Sequence, residues 1–452
     1  MTRCLVVFSI LIVGAGCGSG GAVVPQDVVV DTFNVALAGS FIPFEAERRQ
    51  PIADALAASD ADIICLQEVW EQADKELLRD AAAEAFPHSA LFENNLDTRV
   101  DDPTDQQGEV PPPPEGVPCP DENVGDDNIL DQMNAAIDCV QEFCSTTTPD
   151  DEDGRTTSAE CASANCVGAV GGLLFGNAQQ ERCYASVITQ LPTETFGYMR
   201  NSSATVENQD IAFRGQNGVM ILSRYPLKDA TNWVIPGTWN RRNILSATVE
   251  IPNGAELDVY CNHLTPIFNP SGPINTFPYT GSYGNGMTGP DGWQAEQELQ
   301  AEKLIAHVTE TSGTRLAVIL GDLNAGHAFP EEDIVAEGEA TLDLLEAAFT
   351  PAYTADYAPL CTFCSTNPVT NPTDDPLAVS GWIDHIQLHN SSADAVVSTE
   401  RVYDKDVVPV PAGTGGAGGA GGAGGAGGAG GAGEMLVPLS DHFGMRSVIT
   451  VP

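Results

Sequence analysis

Basic side chains are scarce in this chain: 19 Lys and Arg in 452 residues against 63 Asp and Glu, a formal net charge of −44. Non-specific nucleic-acid binding rests on cations that neutralise phosphates, so a broad basic binding surface is excluded, although metal ions could still bridge an acidic protein to DNA. The same field favours divalent cations and solubility in salty surroundings. Long apolar runs are missing beyond the N-terminus, and no later segment reads as a membrane span. There is also no Gly-x-Ser-x-Gly, which argues against a serine nucleophile on a strand-to-helix elbow. The length allows one large domain or two modest ones.

The N-terminus reads as an export signal. Met1-Thr2-Arg3 is a short basic start, and Cys4 to Val13 is apolar but too short to span a bilayer. Gly14-Ala15-Gly16 then precedes Cys17, the pattern of a bacterial lipoprotein cleavage site. We expect a signal peptide over 1–17, lipidation of Cys17 and a tether over 18–26 leading away from the outer membrane; the Leu usual three places before such a Cys is absent, so plain secretion is the alternative. Cysteine usage fits an oxidising compartment. Cys65 and Cys261 lie in apolar, strand-like runs and read as buried thiols. Cys119, Cys139, Cys144, Cys161, Cys166, Cys183, Cys361 and Cys364 lie in polar, loop-like sequence and read as disulfides of open pairing, with Cys361-x-x-Cys364 as a redox or zinc half-site the weaker alternative.

The acidity is uneven. Between Asp101 and Glu160 there are 17 Asp and Glu against the single Arg155, along with Pro111 to Pro114. This stretch interrupts alternating strand and helix patterns, so 101–200 reads as an acidic, Cys-rich insertion into a domain spanning 27–452. Pro149-x-Asp151-x-Asp153-Gly154 with Glu160 has calcium-loop spacing, but Pro stands where the first carboxylate belongs. Residues 413–433 form a Gly-Gly-Ala repeat. Too few residues follow it to fold alone, so the repeat reads as a loop inside the same domain, tolerable because each doubling of loop length costs only about 0.6 kcal/mol.

Strands are expected at 28–35, 63–66, 219–223, 243–251 and 256–261, and helices at 51–58, 71–86 and 293–308, Pro51 opening the first of these. The interleaving argues for an α/β layered domain. Leu316 to Leu320 is a further buried strand that breaks at Gly321 into Asp322-Leu323-Asn324. Period-2 alternation puts the carboxylate and the amide on one side of the chain. Polar residues recur at the same station, the ends of apolar strands: Asn34, Glu68, His263, Asp384, and Asp441 with His442. In a layered sheet such ends converge on one crevice.

In order and wording these segments resemble the endonuclease/exonuclease/phosphatase superfamily, whose members include pancreatic-type deoxyribonuclease and neutral sphingomyelinase. The matching pieces are Thr32-Phe33-Asn34-Val35, Leu66-Gln67-Glu68-Val69-Trp70, Asn217-Gly218-Val219 through Pro226, Asn262-His263-Leu264, Gly321 to Asn324, Ile383-Asp384-His385-Ile386 and Ser440-Asp441-His442. The resemblance implies a four-layer α/β/β/α sandwich of two packed mixed sheets. It also implies roles. Glu68, helped by Asn34 and with Asp441 beside it, would bind a divalent cation, Mg²⁺ first, with Mn²⁺ or Ca²⁺ as alternatives. Asp322 would orient or deprotonate water, while Asn324, His263 and Arg242 would hold phosphate oxygens. His263 and His442 would manage protons at the leaving oxygen, with Asp384 fixing the ring of His442.

The expected function is an exported, metal-dependent phosphodiesterase acting on a lipid headgroup such as sphingomyelin or on a small phosphodiester. A secreted nuclease of the same fold is the alternative, and a non-catalytic surface-binding lipoprotein the reading from a different class. No protein partner follows from the sequence.

Overall fold

The computed structural model describes residues 24–452 apart from 39–41, 92–106, 109–115, 144–164, 175, 189–215 (where 204 and 213 are described), 239, 269–282 (279 and 281 are described), 372–377 (376 is described) and 412–433. Outside the described residues lie the signal segment with Cys17, the tether up to 23, Cys144, Cys161, the calcium-loop pattern and the Gly-Gly-Ala repeat.

The chain opens with β1 (Gln26–Leu37), α1 (Glu45–Ala58), β2 (Ile63–Val69), α2 (Gln72–Ala82) and β3 (His88–Ala90). Region 101–200 contributes the short strands β4 (Gln107–Gly108), β5 (Asn123–Val124) and β6 (Asp127–Asn128), then α3 (Ile129–Phe143), α4 (Val167–Leu174) and α5 (Ala178–Ile188). β7 (Met220–Ser223), β8 (Leu227–Ile235), β9 (Arg242–Glu250), β10 (Glu256–His263), α6 (Gly289–Ser312), β11 (Ala317–Asp322) and α7 (Glu339–Ala348) follow. The remaining strands are β12 (Thr350–Pro351), β13 (Asp384–His389), β14 (Val396–Val402), β15 (Val407–Pro411), β16 (Glu434–Pro438) and β17 (Gly444–Val451).

Two mixed sheets form the body, one in the order β14-β17-β1-β2-β7-β3 and the other β12-β13-β11-β10-β9-β8-β4. Side-chain alternation explains why they stack. Val28 and Val30 of β1, Ile63 of β2, Val259 of β10, Val318 and Leu320 of β11 and Ile386 of β13 share one apolar cluster between the sheets. The opposite rows of β1 and β2, Phe33, Val35, Ile64 and Leu66, are covered by Ile52, Leu56 and Leu78 of α1 and α2. On the far side Tyr260 and Ile319 meet Leu304, Leu342 and Leu345 of α6 and α7. The result is the four-layer α/β/β/α sandwich. Among the described residues, no helix is long and apolar enough to cross a membrane.

Three expectations are corrected. α1 begins at Glu45 and carries Pro51 inside it, rather than starting there; burial of Ile52, Ala53 and Leu56 outweighs the loss of one helical hydrogen bond. Cys65 and Cys261 are not thiols but a disulfide, with Cα atoms 5.4 Å apart. Each sits on the inward row of its own strand, and stacking the sheets brings the two rows face to face. Cys139 and Cys183 lie on helices α3 and α5 rather than in loops, where they pair with Cys166 and Cys119 around a small core of Ile129, Met133, Ile137 and Leu173. Cys361 and Cys364 are joined to each other.

Candidate active site and metal centre

The inward rows that build the inter-sheet core turn polar at one end. Asn34 continues the row of Val28, Val30 and Thr32; His263 continues that of Val259 and Cys261; Asp322 follows Val318 and Leu320; Asp384 precedes Ile386 and Leu388. Strand pairing sets them side by side. His263 is in register with Asp322, and Asp322 with Asp384. All four are at most 5 % exposed, so this polar layer is as buried as the core beneath it.

Glu68 is the exception to the alternation. Ile64 and Leu66 face α1 and α2, and a continued strand would aim residue 68 the same way. Glu68 instead takes a left-handed backbone (φ 58°), which re-aims its carboxylate into the crevice. There its Oε1 accepts a hydrogen bond from Asn34 Nδ2 at 3.2 Å, and the same nitrogen donates to Asp322 Oδ2 at 3.0 Å. The orientation of the Asn34 amide is fixed by its other end, because Oδ1 accepts from the backbone N–H of Ala36 at 3.0 Å. Asn34 therefore joins the two carboxylates as a donor.

The histidines take opposite characters. His442 Nδ1–H donates to Asp384 Oδ2 at 2.8 Å, and its Nε2 lies 3.8 Å from Asp322 Oδ2. Burial works against its charge, but Asp384, Asp441 and Asp322 together hold it protonated well above the usual histidine range. His263 Nε2 lies 3.5 Å from Asp322 and 4.0 Å from Glu68. Burial, reinforced by the positive charges of Arg242 and His442, pushes His263 well below the usual range and keeps it neutral. Arg242, itself lowered to about 10 by burial and so still charged, donates to the His263 carbonyl at 3.3 Å, and its Nε has no partner among the described residues. Asp322 is pushed up to about 8 by burial and then by Asp384. Its Oδ1 accepts the backbone N–H of Asn324 at 2.8 Å. Asn324, also left-handed at φ 47°, spends one amide N–H on the Leu264 carbonyl, and among the described residues its second N–H has no partner.

Asp322, Asp384 and His442 each bring one potential ligand atom within 4.8 Å of the others. The Asp384–His442 contact is a charge-assisted hydrogen bond through a ring N–H, which occupies that nitrogen. The donor set on the other side suits a hard cation better. Burial raises Glu68, and the nearby charge of Asp441 raises it further. Among the described residues neither carboxylate forms an ion pair with Lys or Arg, and Asp441 Oδ1 lies 3.2 Å from Ser440 Oγ. Two mutually repelling oxygen donors with no direct Lys or Arg ion pair among the described residues fit a divalent ion.

A model of the Endonuclease/Exonuclease/phosphatase family matches residues 32–442, the span from the start of the Asn34 motif to His442. The chain belongs to the Endonuclease/Exonuclease/phosphatase family. A 59-residue segment is 41% identical to a Drosophila melanogaster protein described as a candidate neutral sphingomyelinase, and spans 12% of this chain and only 13% of that relative. Solved structures similar to this member include sphingomyelinase C from Streptomyces griseocarneus (12% identity, TM-score 0.47, covering 94% of this chain and 99% of the other). A beta toxin variant from Staphylococcus aureus with bound magnesium ions is similar to the same degree (12% identity, TM-score 0.48, 93% and 99%).

Every residue singled out in the described sequence thus lies in or directly against this layer. The roles of others were not foreseen. Arg48 is fully buried behind Asn34, and Ser440 Oγ donates to the Asn34 carbonyl at 2.8 Å. Glu337, pushed up to about 7 by burial, feels the charge of His442 and accepts from the backbone of Ile267 at 3.4 Å. Gly218 has a plain reason: a Cβ there would lie 2.7 Å from the ring of Trp70, which stacks on Phe213 at 4.4 Å. For Arg48 a signal existed. Glu45, Arg48, Ile52 and Leu56 recur at helical spacing, which puts the arginine on the buried stripe.

Proposed function

We propose that this protein is a metal-dependent phosphodiesterase that hydrolyses a phospholipid headgroup ester of the sphingomyelin type. The observation that carries the reading is the continuous contact chain Glu68–Asn34–Asp322–His442–Asp384 at one end of the inter-sheet crevice. A divalent ion held by Glu68 and Asp441 would neutralise phosphate charge and so lower the repulsion that an incoming oxygen meets. The side chains do the rest. Asp322, held at both oxygens by Asn34 and the Asn324 backbone, orients water and accepts its proton in the ionised form, which a nearby divalent charge would favour. The free amide N–H of Asn324 and the neutral ring of His263 hold phosphate oxygens without adding a competing cation, and Arg242 lies behind them as a buried positive charge. His442, kept protonated by Asp384, gives its proton to the leaving oxygen.

The acidic chain supports a lipid or small-molecule substrate over a polyanion, and the name of the fly relative points the same way. Export is part of the proposal. The four disulfides among the described residues support an oxidising compartment, and Cys17 is the proposed lipid attachment point for an outer-membrane anchor. The test is a panel of sphingomyelin, phosphatidylcholine, a chromogenic small phosphodiester and double-stranded DNA, each with Mg²⁺ and with chelator. Sphingomyelin turnover lost on chelation is expected. Turnover of DNA alone would replace this reading with the nuclease, and no turnover of any substrate with intact Mn²⁺ binding would favour a binding module.

A further inference from the structure

Arg48 is fully buried, yet it touches no substrate-facing group. Its guanidinium reaches four backbone carbonyls: Nε donates to Pro43 (3.0 Å), Nη1 to Val35 (3.1 Å) and Leu439 (2.9 Å), and Nη2 to Ala36 (2.7 Å). Two of these directly follow Asn34, and Leu439 lies two residues before Asp441. One planar cation therefore ties together two segments far apart in sequence, each carrying part of the cation site. The Ser440 Oγ bond to the Asn34 carbonyl crosses the same seam.

The turn that Arg48 holds is strained. Ala36 has a left-handed backbone at φ 49°, which a residue with a Cβ adopts only where its surroundings enforce it. That turn brings the Ala36 N–H onto Asn34 Oδ1 and so aims the Asn34 amide at Glu68 and Asp322. Four carbonyls from three places in the chain exceed the three donors of a lysine ammonium, whereas the planar guanidinium presents five in a fixed fork. The charge of Arg48 is offset by Asp441, then Glu45 and Glu68, so it also balances the acidic site from behind.

We propose that Arg48 is a positioning residue whose main effect is to set Asn34 and Asp441 for the divalent ion. The inference rests on the metal-dependent reading above. Its test is Mn²⁺ binding by calorimetry and electron paramagnetic resonance on the full chain, for wild type, Arg48→Lys and Arg48→Met, with melting temperatures and Mg²⁺-titrated turnover alongside. Both variants should bind Mn²⁺ at least ten-fold more weakly, Lys less affected than Met, with turnover recovering to within about three-fold at saturating Mg²⁺ because an affinity loss of about 1.4 kcal/mol is overcome by mass action. Folded variants with wild-type Mn²⁺ affinity would overturn the proposal, as would failure of both to fold, which would make Arg48 a requirement of the whole sandwich. If only Met fails to fold, the Lys variant decides. Absence of Mn²⁺ binding by wild type would instead overturn the metal-dependent reading itself.

Discussion

His442 Nδ1 lies 2.8 Å from Asp384 Oδ2, with the histidine 5 % exposed and the aspartate fully buried. The pair joins the start of β13 to the loop before β17, two strands that belong to opposite sheets. A buried imidazolium held by a buried carboxylate is a proton source that neutral pH does not discharge.

Replacing Asp384 with Asn keeps the shape and removes the charge. His442 is held above its usual range by Asp384 before any other group, so the variant should lose its proton at lower pH. The alkaline limb of the pH–kcat profile should move down by at least one unit, and kcat should fall by about 10²-fold or more, in the range of lost acid–base catalysis. Steady-state kinetics from pH 5 to 10 checks this; an unmoved alkaline limb would separate His442 from the proton transfer.

His385, the next residue, turns to the other face of β13 and has a purely structural chemistry. Its Nε2–H donates to the Ala325 carbonyl at 2.8 Å, and the Tyr353 hydroxyl donates to Nδ1 at 2.6 Å, so both ring nitrogens are satisfied in the neutral form. Burial lowers it to about 4. A histidine with a depressed folded pKa contributes stability that is complete above its unfolded value near 6.5 and is lost as pH falls from there toward 4. Each unit in that window costs about 1.4 kcal/mol, or about 2 kcal/mol by pH 5. Urea unfolding at pH 7 and pH 5 should show His385→Gln with a smaller pH-dependent loss than wild type by this amount, whatever its loss at pH 7.

The Cys65–Cys261 disulfide joins β2 to β10 three residues from Glu68 and two from His263. Its sequence separation of 196 makes it a long clamp on the unfolded chain. Loop-closure entropy gives about 5 kcal/mol for such a length, an upper figure because denatured chains retain structure. Cys65→Ala with Cys261→Ala should lose several kcal/mol in chemical unfolding, and should lose activity through a raised Mg²⁺ requirement before any change in saturated kcat. Equal stability of the double variant and the parent would show that the sheets are held without it.

The strand ending in Gly321-Asp322-Leu323-Asn324 was legible because five apolar residues ending at a Gly define a buried strand without reference to neighbours. Asn34, His263 and Asp384 were legible for the same reason, each being one alternation step beyond an apolar row. What the sequence hid depends on other parts of the chain. Whether Cys65 is a thiol or half a disulfide is decided by what the second sheet places opposite it. The aim of Glu68 is set by a left-handed residue that breaks its strand's alternation. Pro51 looked like a helix start because local rules favour it there, and only the packing of Ile52 and Leu56 onto β1 and β2 carries the helix through it.

β17 pairs with β1, and the loop before it brings Asp441 and His442 to Asn34. Synthesis proceeds in the opposite sense: β1 is made early, and its other neighbour emerges only after the rest of both sheets. Until β17 docks, the chain holds Glu68 and Asp322 but neither His442 nor Asp441, the proposed proton donor and second oxygen ligand. The proposed site is thus closed by the pairing of its earliest and latest described strands, so β1–β17 pairing and site completion are one and the same event.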